Sequence, residues 1–233
     1  GRGRGGNGNG NNHGGNNNHG GNNKNGNGKG RGRNNRGRRN VPKSMQGADL
    51  TKRLPEPPKQ PKDALRIYAL GGISEIGRNM TVFEYGDDLL IIDCGVLFPS
   101  SGEPGVDLIL PDFGPIEKKI HKVKALVVTH AHEDHIGALG WLWPRIKAPI
   151  YATPFTAYLI KDKLREAGVL DQAVIHEVPV GGTIDLGPFQ IEMVTITHSI
   201  AEPNGLAIKT PLGTVLHTGD IKLDQLPLDG RLT

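Results

Sequence analysis

A chain of 233 residues, 36% of them apolar, has room for one domain and part of another. Its single cysteine, Cys94, excludes a disulfide framework or a thiolate metal cluster and fits a reducing, cytoplasmic setting, and no run of roughly 18 apolar residues offers a membrane span. The net charge of +4 averages unlike parts: residues 1–40 carry +9 without one carboxylate, 41–62 add +3, and 63–233 sum to −8.

Residues 1–40 hold 15 Gly, 14 Asn, nine Lys or Arg and two His, with no aliphatic or aromatic side chain beyond glycine's hydrogen. Nothing there can bury a core against the entropy of ordering, so a disordered basic tail is expected. Such a tail suits sequence-independent contact with phosphates; a plain solubilising extension is the competing reading. His13 and His19 lie in this low-complexity stretch and are not taken as ligands. Residues 41–62, rich in Pro and Lys, read as a linker, and the globular part is expected from residue 63.

Ala64–Leu70 predicts a first strand running into Gly71-Gly72. Met80–Glu84 and Leu89–Asp93 predict a hairpin turning at Gly86-Asp87-Asp88. Pro111 is expected to open a short helix to about His121, with Phe113, Ile116 and Ile120 on one face. Lys124–Thr129 is a continuous apolar run, as for a strand buried on both faces. A helix is then expected from Asp134 to Arg145, a strand at Pro149–Ala152, and a helix at Pro154–Ala167 stopped by Gly168. Val174–Val178, Thr183–Asp185, Phe189–Thr197, Gly205–Thr210 and Gly213–His217 read as successive strands, the last two joined by a Pro211-Leu212 turn. Sheets packed face to face with helices outside follow from this order.

Thr129-His130-Ala131-His132-Glu133-Asp134-His135 carries the chemistry, an H-x-H-x-D-H pattern directly after a buried strand. His130 and His132, two apart in extended chain, project to one side. Asp134 and His135, at a helix start, turn toward a second point, so one stretch can supply ligands to each of two metals. Imidazoles and carboxylates without sulfur suit Zn²⁺, with Mn²⁺ the alternative. Glu133 is expected to face away. His198 and Asp220 each end a strand pattern, and a carboxylate can bridge two metals where a histidine cannot, which gives Asp220 that role. Asp93, closing LLIID, is the natural partner to orient a ligand histidine or a bound water. His121 and His176 read as structural, His217 as a packing or hydrogen-bonding neighbour of the site, and Cys94 as a small buried residue.

Asp93, HAHEDH at 130–135, His198 and Asp220, in that order, resemble the metallo-β-lactamase superfamily. The loop Gly71-Gly72-Ile73-Ser74-Glu75-Ile76-Gly77-Arg78-Asn79-Met80 is similar to its nucleic-acid-processing β-CASP branch. Three further stretches bring the bacterial ribonuclease J family nearest: Gly105-Val106-Asp107 leading to Leu110-Pro111-Asp112, Thr197-His198-Ser199-Ile200, and His217 to Asp224. The resemblance spans 63–233. It implies the N-terminal part of an α/β, αββα sandwich with metals at one edge. It also implies one metal held by His130, His132 and His198, another by Asp134 and His135, and Asp220 between them. The implied activity is 5′-to-3′ exonuclease and endonuclease cleavage of RNA, in RNA processing and decay, by a metal-activated hydroxide. Single-stranded RNA with a 5′-monophosphate, a homo-oligomer, and a structural calcium at the Gly105 carbonyl and Asp107 are further implications. The branch inserts its β-CASP domain shortly after the position of Asp224, so a further ligand histidine would lie beyond Thr233, and the chain reads as a piece of a longer protein. Two other readings stand beside this one: a hydrolase of a small thioester or lactam, and a non-catalytic RNA-binding protein with a structural metal.

Overall fold

The computed structural model describes residue 61 and residues 63–224; the expected tail, and the linker apart from Pro61, lie outside the described residues. Strands β1 (Leu65–Gly71), β2 (Met80–Tyr85), β3 (Asp88–Ile92), β4 (Val123–Val127), β5 (Ile150–Ala152) and β6 (Ile175–Glu177) form one sheet in that order. β1, β2 and β3 pair antiparallel, while β3 to β6 run parallel. The second sheet is antiparallel, in the order β10-β9-β8-β7, from β7 (Thr183–Leu186), β8 (Phe189–Thr195), β9 (Asn204–Thr210) and β10 (Gly213–His217).

The period of two sorts each central strand onto two cores. Leu89 and Ile91 of β3 and Leu126 of β4 face α2 (Leu139–Ile146) and α3 (Pro154–Glu166), joining Leu142, Trp143, Ile160 and Leu164. Leu90, Ile92, Ala125 and Val127 face the second sheet and meet Phe189, Ile191, Met193, Leu206 and Ile208. Truncating a fully buried residue such as Leu90 to Ala should cost about 2–5 kcal/mol. On β8 the outward Gln190 and Glu192 are exposed, and among the described residues no helix covers that face. The layers described are thus helix, sheet, sheet.

Two expected helices differ. The segment expected from Pro111 is a 3-10 helix, Gly114–Lys122. Its contacts recur every three residues: Phe113 and Ile116 pack inward, Lys119 pairs with the buried Glu84 of β2, and Lys122 pairs with Asp87. A three-residue turn puts such a stripe on one face. The helix expected from Asp134 to Arg145 is interrupted, giving α1 (Glu133–Ile136) and then α2. Ala138 N–H donates to the Cys94 carbonyl, 2.9 Å, and the Asp134 carbonyl it would have met in a continuous helix is occupied by Asn79 N–H, 2.9 Å. Loops packed against the turn have taken over its helical hydrogen bonds.

Candidate metal centre

Parallel pairing puts the C-terminal ends of β3 and β4 side by side, and Asp93 and Thr129 follow directly. Asp93 has φ +62°, a left-handed conformation that Asp tolerates better than most residues, and its N–H donates to the Val127 carbonyl, 3.0 Å. This turns a fully buried carboxylate back under the β4 end. It accepts from Thr129 N–H at 2.8 Å, from the Thr129 hydroxyl at 3.0 Å, and from His135 Nδ1 at 2.8 Å. Asp93 thus contacts the ring of His135 directly.

α1 is held by backbone from two loops. Cys94 N–H donates to the His135 carbonyl, Val96 N–H to the Glu133 carbonyl, and Gly95 lies so close that a Cβ there would sit 1.6 Å from the Asp134 carbonyl oxygen. Only glycine permits that approach. Asn79, just before β2, adds a side-chain tie: its Nδ2 donates to the Asp134 carbonyl at 3.1 Å and to Asp134 Oδ2 at 3.3 Å, and lies 3.1 Å from His135 Nε2. Asn79 and Thr129 are contacts that sequence reasoning did not single out. Asn79 lies in the Gly71–Met80 loop and Thr129 directly before His130, but no spacing rule marks either one.

Two donor groups result. His130 Nε2 and His198 Nε2 each lie close to His132 Nδ1, at 3.1 and 3.0 Å, with the rings crossing at 74–85°. His130, His135 and Asp220 form a second group whose donor atoms lie within 4.8 Å of one another, so His130 belongs to both. Asp220 Oδ2 is 3.3 Å from His135 Nε2 and 3.8 Å from His198 Nε2, and so reaches toward each group. Asp134 Oδ2 is 3.6 Å from His135 Nε2 but joins neither triad among the described residues. Converging imidazole nitrogens cannot all donate to one another; a divalent cation accepting their lone pairs resolves the arrangement, and the donor set fits such an ion.

The electrostatics of the metal-free site divide its histidines into neutral and charged rings. Burial, then the charge of His135, push His130 down to about 3, which leaves it neutral and able to donate a lone pair. Burial likewise lowers His198, helped by His132. Burial opposes a charge on His135, yet Asp93 and then Asp220 outweigh it and raise the ring to about 10 without metal. The hydrogen bond with His135 takes Asp220 down to about 2.

Other expected residues fall elsewhere. Glu133 turns away and pairs with Lys163 of α3 at 2.7 Å. His217 Nδ1 accepts from Gly219 N–H at 3.3 Å beside the site, and His176 stacks on Tyr151. Cys94 is buried, its thiol pushed up by burial and by Asp93. Gly105 has φ +82° and Asp107 is exposed; among the described residues Asp107 joins no group of three His, Cys, Asp or Glu ligands.

The metallo-beta-lactamase superfamily model matches residues 74–230. Ribonuclease J of Corynebacterium glutamicum is 66% identical over 196 residues, covering 84% of this chain and 27% of the relative. Ribonuclease J of Mycolicibacterium smegmatis is 53% identical over 185 residues, 79% of this chain and 33% of the relative. That of Thermus thermophilus is 42% identical over 180 residues, 74% and 31%. The chain thus spans 27–33% of the length of these curated relatives. Among solved structures, the metallo-beta-lactamase fold protein YhfI from Bacillus subtilis superposes with a TM-score of 0.50 at 20% identity, over 68% of this chain and 63% of that one.

Proposed function

The chain belongs to the metallo-β-lactamase superfamily, and from that premise we propose that it is the N-terminal part of a metal-dependent ribonuclease. The observation that carries the proposal is the pair of donor triads sharing His130, with Asp220 reaching toward both. A closed structural zinc site needs four ligands, and more converge here, which disfavours a merely structural metal. The relatives named ribonuclease J, 42–66% identical across this region, support RNA as the substrate. A small thioester or lactam would leave the nine cations of residues 1–40 without a task.

In this reading His130, His132 and His198 hold one divalent ion, Asp134 and His135 the other, and Asp220 lies between. Zn²⁺ fits the donors best, with Mn²⁺ acceptable to the carboxylates. When bound, such a pair lowers the pKa of water toward neutrality and stabilises the charge of an in-line displacement at phosphorus. The protein's own residues prepare for this. Asp93 keeps a proton on His135 Nδ1, so that Nε2 faces the site. His130 is neutral near pH 7. Asn79 steadies the Asp134 carboxylate. The proposal extends to 5′-to-3′ exonuclease and endonuclease action, a preference for 5′-monophosphorylated single strands, a cytoplasmic site of action and self-association of the longer protein. Residues 1–40 would be a phosphate-binding tail, 41–62 a linker, and 63–233 the N-terminal part of the hydrolase domain. Among the described residues no helix is long and apolar enough to cross a membrane.

The test presents the full-length protein with 5′-monophosphorylated RNA and with a generic ester, each with Zn²⁺ or Mn²⁺, and repeats both with Asp134→Ala and His135→Ala. RNA cleavage lost in both variants is expected. Cleavage that survives both would remove the metal mechanism, and ester hydrolysis without RNA cleavage would move the reading to a small-molecule hydrolase.

A further inference from the structure

We propose that Thr129 is a positioning residue that fixes His130 as its Nδ1–H tautomer, so that the single carboxylate of Asp93 aligns a donor nitrogen in each of the two donor groups. The inference rests on the metal-centre reading above. Thr129 is fully buried at the end of β4, and its carbonyl accepts from Asn204 N–H at 3.0 Å, which holds it in place. Its Oγ1 lies 3.1 and 3.0 Å from the two Asp93 oxygens and 3.0 Å from His130 Nδ1.

A hydroxyl has one proton to give. Ionised Asp93 only accepts, so the Thr129 proton goes there, and Oγ1 has lone pairs left for His130. The hydrogen bond at 3.0 Å therefore requires the proton on His130 Nδ1. That leaves Nε2 bare, and Nε2 is the atom that faces His132 Nδ1. His135 has a proton held on Nδ1 directly, through its 2.8 Å contact with Asp93 Oδ2; its distance to Thr129 Oγ1 is longer, 3.5 Å. One carboxylate thus reaches His135 in a single step and His130 in two. A ligand histidine whose other nitrogen has a fixed partner is held in both tautomer and ring angle, and losing such a partner typically costs metal affinity about 10–100-fold.

The experiment reads tautomers by long-range ¹H–¹⁵N correlation on the metal-free, histidine-labelled chain, then measures Zn²⁺ affinity against a competing chelator. Wild type is expected to show His130 with its proton on Nδ1. Thr129→Val, which keeps the shape and removes the hydroxyl, should lose that preference and weaken Zn²⁺ binding about 10–100-fold. Thr129→Ser, which restores the hydroxyl, should recover both. Finding the proton on His130 Nε2 in wild type would overturn the proposal without any variant. So would a Thr129→Val protein with unchanged tautomer and affinity. If wild type bound no zinc at all, the metal-centre reading would fall, and the tautomer readout would still decide this one.

Discussion

Replacing Asp93 by Asn should destabilise the metal-free protein most near pH 6, below the unfolded pKa of His135, and progressively less as pH rises toward 10. Asp93 is buried and accepts from Thr129 N–H, the Thr129 hydroxyl and His135 Nδ1. An amide of the same shape retains one accepting oxygen and turns a donor toward either Thr129 or His135, and it cannot balance a charge on the ring. Breaking a buried ion pair from one side costs about 3–5 kcal/mol. An upper bound comes from His135 itself, raised from 6.5 to about 10, at about 1.4 kcal/mol per unit. Part of that rise belongs to Asp220, 3.3 Å away, so the lower half of the range is the better expectation. A raised pKa stabilises the fold fully below the unfolded value of 6.5, and the contribution fades as pH climbs through about 10. Asp93 and Asp220, both depressed, work in the opposite sense, stabilising above the ordinary carboxylate range and losing that contribution on acidification. Urea unfolding of wild type and Asp93→Asn in the presence of a chelator, at steps from pH 6 to pH 10, measures the gap. A gap that stays constant over this range would refute the pairing of Asp93 with a charged His135.

Gly95→Ala would drive a methyl to 1.6 Å from the Asp134 carbonyl oxygen and 2.6 Å from the His135 nitrogen. Both are backbone atoms, so a loss of about 3 kcal/mol or more in unfolding free energy is expected, together with loss of Zn²⁺ binding by calorimetry. Asn79→Ala keeps the backbone ties to Asp134 and removes the side-chain ones. A titration should show the first Zn²⁺ equivalent bound as in wild type and the second weakened about tenfold or more. Deleting residues 1–40 removes nine cations; if they engage single-stranded RNA, the slope of log affinity against log salt should flatten by as much as about 6, and an unchanged slope would leave the tail a solubilising extension.

Much was legible in the chain itself. Leu89–Asp93 reads as one strand of a hairpin, and the apolar run at Lys124–Thr129 marks a strand buried on both faces, as found for Ala125–Val128. His130, His132 and His135 announce themselves by spacing, and His198 and Asp220 by their places after strand patterns. These are local signals: neighbours in sequence are neighbours in space, so periodicity and spacing carry them. Only the tertiary structure decided that His130 serves both donor groups, that Asp134 stands apart from the triads, and that α1 stops after one turn. The same holds for Asn79, 55 residues from Asp134, and for Thr129, 36 residues from the carboxylate it meets. Hydrogen bonds over such separations depend on how whole strands are brought into register, and a buried polar group takes whichever partner the packing sets beside it.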